Sequence, residues 1–234
     1  MIVGSISENK DLEKRISLVP DVIKKYNNLG LEVNIVKGYG DHIGFSDDSF
    51  KNAGAKILPS KEEVMKNSNI LIQLDLINEN DFSILNKEKI LIGSLNYSQN
   101  KDKIEKLKSK GVNIFSLELL PRITRAQSMD ILSSQANLAG YKAVIEAFAF
   151  FEKAIPMMMT AAGTVPAAKV LVVGAGVAGL QAVATAKRMG AVVFATDVRM
   201  ASKEQVESLG GKFLTVEGSE NLETEGGYAK EASE

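Results

Sequence analysis

Gly174, Gly176 and Gly179 stand in the spacing G-x-G-x-x-G, directly after the apolar run 169–173 and before a stretch of helical character. That placement makes the spacing informative. The first glycine permits a tight turn, the second lets the backbone approach a pyrophosphate, and the third lets the following helix pack against the strand. A helix opening at Val177 and Ala178 then offers free N–H groups and the positive end of its dipole to phosphate oxygens. Asp197 closes the next apolar run, where a carboxylate accepts hydrogen bonds from both hydroxyls of an adenosine ribose and repels a 2′-phosphate. The chemistry predicted is dinucleotide binding, with NAD favoured over NADP. Arg199, two residues on, pulls against that preference. The competing structural reading is a glycine turn of another α/β fold, with Asp197 as a helix cap.

A second polar group, Arg122, Gln127, Asp130 and Ser133, falls where a loop (121–127) runs into a helical pattern. By residue type alone, Ser128 and Asp130 are also ordinary first-turn residues of a helix. Composition narrows what else the chain can do. It has no cysteine and one histidine, which excludes a thiol nucleophile, thiolate metal ligands and a histidine metal cluster. The lone His42 sits in a Gly40–Gly44 loop and reads as structural or exposed. Basic and acidic residues number 28 and 29, so there is no basic field for nucleic acid or anionic lipid. Five of the 28 basic residues are arginines (Arg15, Arg122, Arg125, Arg188, Arg199), and in a lysine-rich chain an arginine hints at a planar, bidentate donor. The amino-terminal residues lack the pattern of a signal peptide. The most apolar stretch, 154–180, is broken by prolines, glycines and Lys169, so direct membrane insertion is not expected and a cytoplasmic location is.

The elements that must position these residues alternate. Apolar runs at 2–6, 31–36, 55–58, 70–74, 90–95 and 112–117 read as strands, separated by helical stretches at 20–29, 61–66 and 101–110. Near-continuous apolar strands between helices mean a parallel sheet covered on both faces. This predicts an α/β domain over 1–132. A long helix is expected over 128–153, then an apolar hairpin over 154–168 turning near Gly163-Thr164. Strands at 169–173, 191–196 and 212–216 with a helix at 202–209 complete a βαβαβ half of a dinucleotide fold. The fold class predicted is therefore α/β with two doubly wound domains: a flavodoxin/Rossmann-like one over 1–132 and a Rossmann domain over 133–234. Because nothing after 216 reads as the second half, the chain is expected to be a piece of a longer protein.

Pro121-Arg122-Ile123-Thr124-Arg125-Ala126-Gln127-Ser128-Met129-Asp130, continuing through Ser133 to Tyr141, and Pro156–Pro166 closely resemble the NAD-binding component of proton-translocating NAD(P) transhydrogenase. Together with VLVVGAGVAGLQA, ATDVR, SKEQVESLGGKF and EGGYAKE, the resemblance covers the chain from Leu120 onward; before that it is only an outline. It implies hydride transfer between NAD(H) held here and NADP(H) held on a partner component, coupled to proton movement through membrane-spanning components. It also implies a homodimer joined through the hairpin, peripheral to an inner membrane. By the same resemblance Gln127 orients the nicotinamide ribose, Asp130 and Ser133 hold the carboxamide side, and Arg122 pairs with Asp130. Cofactor contacts extend to Ile123 and Thr124, to Val177 and Ala178 in the turn, to Val198 and Arg199 beside Asp197, and to Gly227 and Tyr228 in a loop closing over the nucleotide.

Alanine dehydrogenase resembles the same family and is the rival reading. Its chemistry makes and breaks a C–N bond and needs proton transfer, for which that family uses a lysine and a histidine in its first domain. Those positions fall here on Gln73 and Ser94, although Arg15, the carboxylate-binding position, is retained. A non-catalytic NAD-binding remnant is the third possibility.

Overall fold

Proline at position 20 and serines at 46 and 60 open three helices of the amino-terminal half. The structure is a computed structural model that describes residues 1–215. It divides into two units, Met1–Ile131 and Leu132–Glu234.

In the first unit the strands are β1 (Ile2–Ser5), β2 (Glu32–Val36), β3 (Ala55–Leu58), β4 (Ile70–Gln73), β5 (Ile90–Gly93) and β6 (Asn113–Ser116). They form one parallel sheet in the order β3-β2-β1-β4-β5-β6. Strand order reverses direction between β1 and β4, so the crevice beyond their carboxyl ends is the topological switch point. Helix α1 (Pro20–Asn28) opens on proline, whose missing N–H would have no helical partner at that position anyway. Helix α2 (Asp47–Asn52) is capped by Ser46 and α3 (Lys61–Asn67) by Ser60, each accepting from the N–H three residues on. Two apolar clusters fill the unit, one around Met65, Leu71, Leu91 and Leu107, the other around Ile23, Ile35, Tyr39 and Phe50.

Two helix boundaries differ from expectation. Helix α4 (Tyr97–Ser109) starts four residues before the expected 101, and the long helix is shorter. Residues Thr124–Met129 form a 3₁₀ segment, Asp130 is extended, and α5 (Ile131–Phe150) begins only after it.

In the second unit α5 packs Val144 and Phe148 on a core with Val183, Val193 and Val206. Strands β7 (Met158–Thr160) and β8 (Gly163–Val165) pair antiparallel, with Thr160 opposite Gly163, so the turn is Ala161-Ala162, earlier than the expected Gly163-Thr164. Every residue of both strands is exposed. Strands β9 (Lys169–Val173), β10 (Val192–Thr196) and β11 (Lys212–Phe213) form a parallel sheet in the order β11-β10-β9, with α6 (Val177–Arg188) and α7 (Ser202–Ser208) in the crossovers. Among the described residues β9 pairs on one side only, and its Leu171 and Val173 are exposed. No helix among the described residues is long and apolar enough to cross a membrane.

Candidate functional site

The glycine turn has the geometry its spacing requires. Gly174 sits at φ 93°, and its N–H still pairs with Thr196 O at 2.8 Å, so the turn leaves the sheet without breaking register. A β-carbon on Gly179 would lie 1.8 Å from Gly174 O, so only glycine lets α6 come this close to the turn. Above Gly176 the space is open: the one atom near an added β-carbon is Arg199 Nη2, at 3.9 Å. No side chain caps α6 at Gly176, which leaves the first-turn N–H groups for an external acceptor. This open cradle above a helix amino-terminus fits a pyrophosphate, with Gly176, Val177 and Ala178 around it.

Asp197 follows β10 and its side chain is nearly buried, at 6% exposure. Its Oδ2 accepts the Ala175 N–H at 2.6 Å, and Oδ1 accepts the Arg199 N–H at 2.8 Å. The Arg199 guanidinium adds Nε to Oδ1 at 2.8 Å and Nη2 to Oδ2 at 3.0 Å. Arg199 chiefly, helped by the two backbone donors, holds the Asp197 carboxyl at about 2, below the usual range, against the opposing effect of burial. The structure thus brings Gly174, Gly176, Asp197 and Arg199 into one cluster, joined through Ala175.

The other expected site residues divide between the units. Arg122, Ile123, Thr124 and Gln127 are exposed along the 3₁₀ segment and its entry, and Asp130 is half-buried where that segment ends; all belong to the first unit. Buried Ala126 anchors the segment. Ser133, half-buried, lies in the first turn of α5 in the second unit. Val198 is exposed beside Asp197, while Gly227 and Tyr228 lie outside the described residues.

Two residues of this region were given no role by sequence reasoning. Ala175 carries the bond that ties the turn to Asp197. Gly140, buried within α5, would place an added β-carbon 2.0 Å from Ala178 O in the first turn of α6. A glycine inside a strongly helical pattern is itself a sign of close backbone approach, and that signal was available.

At the switch point of the first unit lies a second polar cluster. Gln73, 3% exposed, is a clamp between strand ends: its Oε1 accepts the Ile6 N–H at 2.9 Å and the Ser5 hydroxyl at 3.1 Å, while its Nε2 donates to Ile6 O at 3.2 Å and to Glu8 Oε1 at 3.3 Å. Glu8 Oε1 also accepts the Leu74 N–H at 2.6 Å, and burial pushes its carboxyl up to about 7. Tyr39, fully buried, gathers Ser5, Ser17 and Leu18 around its hydroxyl. Gln73 has its amide committed to the Ile6 backbone, the Ser5 hydroxyl and Glu8, and offers no acid or base. Arg15 forks onto Glu13, with Nε to Oε1 at 2.8 Å, and His42, in an exposed 3₁₀ turn (Asp41–Ile43) rather than a plain loop, bonds to Lys14 O at 2.8 Å.

Two family models match the chain: the alanine dehydrogenase/PNT N-terminal domain over residues 4–139 and the alanine dehydrogenase/PNT C-terminal domain over 143–232. The chain is 48% identical over 241 residues to an NAD(P) transhydrogenase subunit alpha of Rhodospirillum rubrum, a match that covers 100% of this chain and 63% of that protein. A solved transhydrogenase structure from Sinorhizobium meliloti is similar with a TM-score of 0.87 and 45% identity, covering 92% of this chain and 64% of that one. An L-alanine dehydrogenase structure shares the fold at a TM-score of 0.80 and 22% identity, covering 91% of this chain and 60% of that one. The chain therefore spans about three fifths of the length of these relatives.

Proposed function

This chain belongs to the alanine dehydrogenase/PNT family, and from that footing we propose that it is the NAD(H)-binding part of a proton-translocating NAD(P) transhydrogenase. In this reading NADH is held at the glycine turn and gives its hydride to NADP⁺ on a partner component, itself linked to membrane-spanning components. The single observation that carries NAD(H) binding is the cradle above Gly176, bonded through Ala175 N–H to the Asp197 carboxylate 2.6 Å away.

The roles follow from the groups available. The first-turn N–H groups of α6 take the pyrophosphate, and Asp197 takes the adenosine ribose. Bound NAD(H) supplies the hydride chemistry. That exchange moves no proton at the reacting carbons, so the protein's task is positioning. Gln127 orients the nicotinamide ribose, Asp130 and Ser133 hold the carboxamide, and Arg122 steadies Asp130. Ile123, Thr124, Val198, Gly227 and Tyr228 are the further cofactor contacts in this reading. A second copy of the chain covers the exposed apolar hairpin, whose Met157, Met158, Met159 and Val165 all face solvent here.

Amino-acid dehydrogenation is the reading this site favours less, because buried Gln73 stands clamped where a proton-transferring lysine is needed. The test is direct. NADH should titrate the full-length protein by fluorescence, and addition of the NADP-binding component should allow transfer from NADH to an NADP⁺ analogue. Turnover of alanine with NAD⁺ by the protein alone would defeat this assignment, and NADH binding without transfer would leave only a nucleotide-binding remnant.

A further inference from the structure

The Asp197 carboxylate has no lone pair to spare. Each oxygen has two acceptor positions, and each already receives two donors: Arg199 N–H and Nε on Oδ1, Ala175 N–H and Arg199 Nη2 on Oδ2. A ribose diol arriving with two hydroxyl donors must displace something. The Ala175 and Arg199 N–H groups are main chain, fixed by the turn and by the start of the next segment. Only the guanidinium can leave. It lies over the approach to the cradle, with Nη2 3.9 Å from where a β-carbon on Gly176 would stand, and its side chain is 19% exposed.

We propose that Arg199 is an internal competitor for NAD(H), occupying on Asp197 the positions that the adenosine ribose needs and swinging off before the nucleotide seats. The proposal rests on the NAD(H)-binding reading above. Its consequence is a weaker, faster-exchanging site than a bare carboxylate would give, which suits a component that must trade NADH for NAD⁺ at every turnover. A 2′-phosphate, which cannot donate to Asp197 and so leaves the guanidinium in place, meets a neutral Asp–Arg pair, and rejection of NADPH is milder than the aspartate alone implies.

The test titrates NADH and NADPH into the full-length protein carrying Arg199→Met, which keeps the aliphatic stem and loses the fork. NADH should bind about tenfold tighter, the equivalent of ~1.4 kcal/mol, and dissociate more slowly in stopped flow, while the NADH/NADPH ratio widens. The melting temperature without nucleotide should fall, since Asp197 loses its pair; a merely structural contact would lower stability and affinity together. Arg199→Lys, which keeps the charge but cannot bridge both oxygens, should shift NADH affinity the same way by less. In an Asp197→Asn background, Arg199→Met should change NADH affinity by no more than about twofold, the usual error of additivity. Equal or weaker NADH binding by both arginine variants in the native background overturns the proposal. Failure of the unmodified protein to bind NADH would instead remove the reading beneath it.

Discussion

Gly140 of α5 and Ala178 of α6 meet backbone to backbone: a β-carbon on the glycine would stand 2.0 Å from the alanine carbonyl oxygen. The helix that follows the loop at 121–130 is thereby seated directly on the first turn of the phosphate-binding helix. Gly140→Ala sets two effects in opposition. Helix propensity favours alanine by about 1 kcal/mol, but 2.0 Å is far inside contact, and overpacking of this kind costs about 1–3 kcal/mol. The clash should win. We expect a lower melting temperature together with weaker NADH binding, because relief must come from moving α5 or the cradle; unchanged NADH affinity would show that the contact is purely structural.

Asp197→Asn keeps an acceptor for the Ala175 N–H but removes the charge. NADH should weaken, NADPH should weaken less or gain, and the preference should narrow by at most roughly 1.5–3 kcal/mol, the range for hydrogen bonds to charged groups. Parallel fluorescence titrations with both nucleotides measure it directly.

Gln127→Asn shortens the side chain by one methylene and keeps the amide. Gln127 is exposed in the 3₁₀ segment, so the melting temperature should barely move. If this residue sets the nicotinamide position, the rate of transfer to an NADP⁺ analogue should fall about 100-fold with NADH affinity little changed. Intact transfer in this variant would remove Gln127 from the site.

Glu8 makes stability depend on pH with a definite sign. Burial raises its folded-state value from 4.5 to about 7, so between those values the native state holds a proton that the unfolded chain has released. Its contribution is present in full below pH 4.5 and is lost as pH rises through about 7. Urea midpoints measured across that window should decline for the unmodified protein and decline less for Glu8→Gln. Asp197 acts oppositely and elsewhere: its contribution is present above 3.8 and disappears as pH falls toward about 2.

The hairpin prediction concerns assembly. Met159, 72% exposed, is the most accessible of its three methionines, and a two-stranded ribbon alone is marginally stable in water. Met159→Glu should shift the mass seen by light scattering at micromolar concentration from dimer toward monomer. A monomeric unmodified protein would dispose of the interface.

Strand positions were legible because buried parallel strands such as Ile70–Gln73 read as unbroken apolar runs between polar, helix-forming stretches. The glycine turn was legible because its chemistry is local. What failed was whatever depended on distant partners. Helix α4 begins at Tyr97 because the Glu118 carboxylate, 21 residues away, accepts the Tyr97 N–H at 2.9 Å, and Asn100 interrupts the helical pattern with φ −108°. No local signal announces a cap delivered from beyond the next strand. The start of α5 was misplaced for a different reason: residues 124–129 have helical character but wind as 3₁₀, and extended Asp130 separates them from the true helix. At Asp197 the residue types supplied both halves of the answer, a carboxylate for ribose and an arginine that complicates it. Only the folded chain reveals that the arginine fills both oxygens.

Among the described residues, the side of β9 away from β10 carries no paired strand. Along that side its N–H and C=O groups have no neighbouring strand among the described residues, and its sequence, Lys-Val-Leu-Val-Val, carries one charge. Such an edge is a template for any extended segment that drifts against it, including another molecule's β9. Lys169 is the lone gatekeeper, placed at the strand's first residue rather than beside Leu171 or Val173. Among the described residues, the side of β9 away from β10 is therefore where an extended segment, this protein's own or another's, would add the next strand.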